Sequence, residues 1–275
     1  MRGAGVLLLL TLAATPAGAQ LPADVGRERQ AYEAWLTTAA LSPYAAVALQ
    51  SIGAGLVLGP ATGDVPLAGL ARAELRESRG AVTLLRAGRE VAVPRGRPVP
   101  LDSTRRLIVN GEPGRTVAVV YGPIRPAPAP SWFDYDPSLV LTVELEPPER
   151  RGRFRILGPD GLETEAVEAG FVAVRAGGSA SRLRAYRVGA EDDEEAELLI
   201  FFRDATNRHG SYPAGRFVEL IPLGGRRYRL DFNRARNPFC AYSTVFPCPA
   251  PWPGNQLAAP LAAGEKYAGG GLELE

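Results

Sequence analysis

The chain is poor in the residues that most chemistry is built from. It has one histidine, His209, one lysine, Lys266, and two cysteines, Cys240 and Cys248. A single imidazole excludes a multi-histidine metal centre. Two thiols and one distant histidine fall short of the clustered four-ligand set that a structural zinc requires. No GxGxxG follows a strand, and no phosphate-cradling GxxxxGK[ST], HExxH or GxSxG occurs, so the common nucleotide, zinc-protease and serine-hydrolase signatures are missing. A Ser-His-Asp set would have to use His209 with Asp204 or Asp231 and with Ser211, which lies only two positions away, too near for a nucleophile and its base. No cofactor is expected.

An excess of one charge is also lacking. The 31 basic residues, all arginine except Lys266, face 30 acidic ones, and the formal net charge is +1. Nucleic-acid binding leaves a basic surplus, so nucleic acid is not an expected partner. Apolar residues make up 46% and charged residues 22%, which suits a folded globular chain rather than a disordered one.

What is present begins with a leader. Arg2 precedes an apolar run from Val6 to Ala14, and Ala17-Gly18-Ala19 offers small residues for cleavage before Gln20. This is the layout of a secretory signal peptide over residues 1–19. The run is shorter than the roughly 20 residues needed to cross a bilayer, and no cysteine follows it to carry a lipid. The expectation is an exported protein, periplasmic or extracellular after cleavage following Ala19, with no membrane span in the mature form. Loss of Arg2 takes the formal charge from +1 to zero.

A helix is predicted over Asp24–Ala40, with Asp24 as its cap and Val25, Tyr32, Trp35 and Leu36 near one face, within an N-terminal segment 20–43. Between 44 and 121 the hydrophobic period falls to two. Short runs at Ile52–Leu58, Leu70–Arg76, Ala81–Arg86, Glu90–Val93, Arg106–Val109 and Thr116–Tyr121 are punctuated by Gly, Pro, Asn and Asp, which predicts a small β domain. Alternating Pro and Ala in GPIRPAPAP mark 122–131 as a semi-rigid spacer. A second β domain over 132–267 takes in strands at Leu139–Glu146, Phe154–Leu157, Phe171–Arg175, Leu183–Val188, Leu198–Phe202, Phe217–Pro222 and Arg227–Phe232. The acidic run Glu191–Glu197 reads as a solvated loop, and residues 268–275 as a flexible tail. The five apolar residues Leu198–Phe202 suit a central strand buried on both faces. From Pro238 to Pro260 the prolines remove backbone donors, so that stretch must wrap as an irregular band held by side chains. The fold class is therefore mainly β: a short N-terminal helix, a small β domain, and a larger β barrel or sandwich closed by a Pro-rich band.

Four motifs carry a resemblance: DATNRHGSYPAGRF, LDFNRARNPFCAY, CPAPWPGNQL and AAGEK, in that order. With the weaker GLVLGPATGDVPLAGL and SWFDYDPSLVLTVELEP upstream, the chain resembles the bacterial domain-of-unknown-function 1684 family over about residues 40–267. The resemblance implies a fold and a shared residue set but no activity.

Export favours a Cys240–Cys248 disulfide; a metal or two free thiols are the alternatives. Polar residues concentrate in the same region. Asp204 and Thr206 end the most buried strand, Arg216 can present a planar fork to a carboxylate, and Asp231 and Asn233 share a strand face. Arg236 and Asn255 lie in the band, with Tyr212, Tyr242 and Trp252 as a possible aromatic wall. Two accounts fit. These groups either satisfy one another and the irregular backbone, or they line a pocket. The pocket account makes the protein a cell-envelope module for a small polar or anionic ligand, held by Asp204, Thr206, Tyr212, Arg216, Asp231, Asn233, Arg236 and Asn255. The alternatives are a cofactor-free hydrolase with Asp231 or Glu265 as acid or base, and a structural envelope protein with no small-molecule site.

Overall fold

A computed structural model describes residues 19–176, 178–189, 196–250 and 252–267. Residues 1–18 of the expected leader, most of the acidic run from Glu191, and the tail from 268 lie outside the described residues. One helix, α1 (Ala23–Thr38), leads into strands β1 (Ala46–Ser51), β2 (Leu56–Gly59), β3 (Val65–Pro66), β4 (Ala73–Ser78), β5 (Ala81–Arg86) and β6 (Arg89–Ala92). Then follow β7 (Val99–Pro100), β8 (Arg106–Asn110), β9 (Val117–Tyr121), β10 (Val140–Glu146) and β11 (Arg153–Leu157). The last five are β12 (Glu163–Ala176), β13 (Ser179–Val188), β14 (Glu197–Phe202), β15 (Arg216–Gly224) and β16 (Arg227–Asp231). The protein is mainly β, as its alternating pattern predicts.

The first nine strands form two sheets, ordered β1-β9-β8-β7 and β3-β2-β4-β5-β6. Their inner faces share one core that includes Leu58, Leu75, Leu84, Leu107 and Val120. The remaining strands run β10-β16-β15-β14-β13-β12, and β12 pairs back onto β10 through Leu145↔Val172 and Glu146↔Phe171. The result is a closed six-stranded barrel, with β11 added outside on β12. Closure needs a bend in the long strand. β12 bulges between Glu168 and Gly170, and Gly170 stands at φ +143° where a Cβ would come within 2.1 Å of Glu146 O. Only glycine fits there.

A six-stranded barrel is too narrow for a lumen and fills with side chains. Val172, Leu183, Ile200, Phe202, Val218, Leu220 and Leu230 do this here. β14 also buries its outer face, where Leu199 and Phe201 pack with Tyr186, Phe217 and Trp252. Burial on both sides is why Leu198–Phe202 carries no polar alternation. Each fully buried side chain of this size contributes roughly 1.5–3 kcal/mol.

Several local expectations change. The helix is capped by Pro22 without a side-chain cap, and Asp24 instead turns its carboxylate to Arg234 Nη2 at 2.5 Å. The tertiary partner outcompetes the local turn. The expected strand Ile52–Leu58 forms only from Leu56, as β2; a turn at Gly53 (φ +52°) separates it from β1, which ends at Ser51. β12 starts eight residues before the expected Phe171: Glu163 and Glu165 point outward, while Ala166, Glu168 and Gly170 lie on the buried face. Trp35 packs on Phe239 of the C-terminal band, ring centroids 5.7 Å apart.

The band after Asp231 wraps back over the barrel. It meets the first β block in a shared apolar cluster containing Ala45, Ile108, Val119, Tyr212, Cys240 and Phe246. Cys240 and Cys248 are disulfide-bonded, with Cα atoms 5.4 Å apart. Residues 122–131 do not stand off as a tether. Tyr44 donates to Pro128 O at 2.9 Å, and the Pro/Ala run forms one wall of a cleft against the band.

Candidate functional site

The polar residues singled out in the sequence separate into three groups. Asp204 and Arg216 form the first. Arg216 Nη2 donates to Asp204 Oδ2 at 2.7 Å, and their side chains are 1% and 0% exposed respectively. The same guanidinium donates to the carbonyls of Ala263, Leu261 and Glu265. Asp204 Oδ1 accepts from Thr206 N, Thr206 Oγ1 and Leu261 N. Prolines and turns leave the band's carbonyls without strand partners, and Arg216 supplies the donors. This is the self-satisfying arrangement, and no ligand reaches it without opening the band.

Asn255 belongs to the same design. Its amide takes the place of a strand, accepting from Arg184 N at 2.7 Å and donating to Arg184 O and Phe201 O. Tyr212 is 1% exposed, with its hydroxyl 3.3 and 3.2 Å from the two cysteine sulfurs and its pKa pushed up to about 12 by burial.

Asp231, Asn233 and Arg236 form the second group, which anchors α1. Asp231 Oδ1 accepts from Asn233 N and Nδ2 at 3.0 Å, and its Oδ2 accepts from Arg234 Nε at 3.2 Å. Asn233 exchanges two hydrogen bonds with the backbone of Asp136. Arg234 continues to Asp24 and Glu28, and Arg236 to Glu28 and over the Tyr32 ring. Asp231 is 3% exposed and enclosed by these partners.

Glu265 is different. It is 1% exposed, yet it lines an open cleft of about 630 Å³ with Tyr44, Arg125, Asn237, Tyr242 and Lys266. Gly264 at φ +75° lets the chain pass here, since a Cβ would sit 2.7 Å from Ala235 O and Phe232 O. Among the described residues no cation pairs with the Glu265 carboxylate. It accepts from the Tyr242 hydroxyl and from Asn237 N at 2.9 Å. Burial outweighs these two bonds and the more distant Arg236, and pushes its pKa up to about 7. Burial likewise raises Tyr242, helped by the charge of Glu265. Tyr242 OH meets Tyr32 OH at 3.0 Å, so a hydrogen-bonded chain Tyr32–Tyr242–Glu265 crosses from α1 to the cleft. A carboxyl near neutrality, buried and facing a cavity, is suited to exchanging a proton or to sensing a bound charge.

The rim of this cleft is cationic. Among the described residues the Arg125 side chain donates to the carbonyls of Tyr44 and Ala46 and to Ser243 Oγ, and Lys266 lies over the Phe133 ring. Neither pairs with a carboxylate among the described residues. Of the site residues read from sequence, Glu265 and Tyr242 line this cleft. Tyr32, Tyr44 and Arg125 were missed. Tyr32 reads simply as helix core and the other two as loop, and no sequence spacing links them to Glu265. No group of three or more His, Cys, Asp or Glu side chains among the described residues is arranged to hold a metal. No described helix is long and apolar enough to cross a membrane.

Fold and site thus define a six-stranded barrel protein with a cleft between the Pro/Ala run and the C-terminal band, around a near-neutral carboxyl. The chain belongs to the family described as a protein of unknown function (DUF1684), whose model matches residues 129–266. That span covers the barrel, the band and Glu265, while Tyr32, Tyr44 and Arg125 precede it. The solution NMR structure of an uncharacterized protein from Haloarcula marismortui is 33% identical, with the match covering 50% of this chain and 76% of that one at a TM-score of 0.44. No curated protein matches the chain.

Proposed function

We propose that the protein is an exported binding module for a small anionic ligand, held in the cleft lined by Tyr44, Arg125, Asn237, Tyr242, Glu265 and Lys266. The observation that carries this reading is the cleft's charge balance. Two cations without carboxylate partners among the described residues face a cavity whose one carboxyl, Glu265, has its pKa pushed up to about 7 by burial. An anion would supply the missing counter-charge, and a protonated Glu265 or the Tyr242 hydroxyl could donate to it. A cleft of this size suits a ligand of modest mass. Asp204, Arg216, Asn255 and Asp231 then serve as scaffold, because each is already engaged inside the fold.

The test is calorimetric titration of the mature protein with small carboxylates and sulfate at low salt. Saturable binding is expected, weakened about tenfold or more in Arg125→Gln/Lys266→Gln, a change worth ~1.4 kcal/mol or more. Affinity unchanged in that variant would remove the cleft from consideration. Export is tested by N-terminal sequencing of the protein recovered outside the cytoplasm, where Gln20 is the expected first residue.

A hydrolase at the same place is the second reading, favoured by the hydrogen bond between Glu265 and Tyr242. If it holds, Glu265→Gln abolishes turnover of a substrate-panel hit while the ligand still binds.

A further inference from the structure

A second groove, of about 560 Å³, runs between α1 and the outer wall of the barrel. Tyr32, Trp35 and Phe239 line one side, and Glu197 and Glu219 stand on the strands opposite. The register places these two carboxylates together. Glu219 pairs with Leu199, so Glu197, two residues earlier on β14, lies on the same face and diagonal to it.

The groove's arginines are already spoken for. Arg234 bonds Asp24, Glu28 and Asp231, and Arg236 bonds Glu28. Those three carboxylates match, and exceed by one, the two guanidiniums. Glu197 and Glu219 are exposed, form no ion pair among the described residues, and add two further negative charges. Partial burial of its carboxyl and the neighbouring Glu197 raise the Glu219 pKa, against the pull of Arg236. Like charges held side by side on one wall of a groove call for a cation beside them.

An independent feature points the same way. Asn237 is 4% exposed and lies where the groove meets the anion cleft, lining both. Its Nδ2 donates to Lys266 O at 3.1 Å, while Oδ1, at the other corner of the amide, is buried with no donor. A buried acceptor without a partner costs about 1–3 kcal/mol, and an N–H from a ligand would relieve it. The aromatic faces of Trp35 and Phe239 complete the surroundings that suit an organic cation with an apolar stem.

We propose that this groove is a second binding site, taking a small amphipathic cation, an alkylammonium or arylalkylammonium ion, with its ammonium at Glu197 and Glu219 and its stem against Trp35 and Phe239. The site lies beside the anion cleft, sharing Asn237 with it, and the hydrogen bond between Tyr32 and Tyr242 joins the two.

The experiment titrates the mature protein with hexylamine and phenethylamine, and with hexanol and 2-phenylethanol as neutral matches, following tryptophan fluorescence and heat. The amines are expected to bind at least tenfold tighter than their alcohols, and Glu197→Gln/Glu219→Gln to erase that difference without lowering Tm. Trp35→Leu weakens amine and alcohol alike. Equal affinity for amine and alcohol, or an amine preference that survives in the double Gln variant, overturns the proposal. Amine binding that persists unchanged in Arg125→Gln/Lys266→Gln separates this site from the anion cleft, and its loss there overturns the assignment to the groove.

Discussion

Arg216 reaches Asp204 across the mouth of the barrel and, with the same guanidinium, holds the carbonyls of Leu261, Ala263 and Glu265. One buried side chain thereby positions the strand end at Asp204 and the segment that carries Glu265. Gly215, at φ +117° with a Cβ position 2.5 Å from Phe202 O, is the backbone concession that brings Arg216 into place.

Removing the acid is therefore predicted to be severe. Asp204→Ala strands a buried guanidinium and releases Thr206 and Leu261, and should lower unfolding free energy by about 3–5 kcal/mol. Urea denaturation checks this; a loss under 1 kcal/mol contradicts the placement. Arg216→Met, which leaves apolar bulk and no unpaired cation, should still free the band's carbonyls, visible as faster amide exchange over residues 257–265.

Glu265 sets a pH dependence whose sign follows from its raised pKa. The ordinary value is 4.5 and the folded value about 7, so the folded state binds the proton more tightly than the unfolded chain. The stabilisation is fully present below pH 4.5 and is lost as pH rises to about 7. The span corresponds to about 3 kcal/mol at 1.36 kcal/mol per pKa unit. Comparing unfolding free energies of the wild type and Glu265→Gln at several pH values isolates it: the difference between the two proteins should change across pH 4.5–7 and be flat above about 8. Binding of a small carboxylate should also tighten as pH falls from 8 to 6 in the wild type, and the Gln variant should lose that dependence.

The disulfide closes a loop that carries Tyr242, Ser243 and Thr244, all of which line the anion cleft. Reduction, or Cys240→Ala/Cys248→Ala, should lower stability by ~2.5 kcal/mol on loop entropy. It should also weaken anion binding, because Tyr242 is then no longer held against Glu265. Differential scanning calorimetry and titration of the variant read both effects. Unchanged affinity would place the cleft's order elsewhere.

Local pattern carried much of the architecture. Alternation and Gly/Pro punctuation located most strands, the apolar run Leu198–Phe202 located the doubly buried one, and the prolines from Pro238 onward marked where ladders stop. Pattern misled where a side chain had a stronger distant partner. Asp24 reads as a cap and is taken by Arg234, and β12 begins in a glutamate-rich stretch whose register is set by β11 and β13.

The chain by itself determined which residues are apolar, where strands can form, and that the C-terminal band has to borrow hydrogen bonds from side chains. Only the tertiary structure decided which polar groups are consumed in that task. Asp204 and Arg216 find each other across 12 residues, whereas Glu265 meets Tyr242 across 23, and Tyr242 meets Tyr32 across 210. Whether a buried carboxylate ends beside a guanidinium, as Asp204 does, or beside a hydroxyl and a backbone N–H, as Glu265 does, sets its pKa and its availability. That depends on distances between segments, a quantity no local pattern encodes.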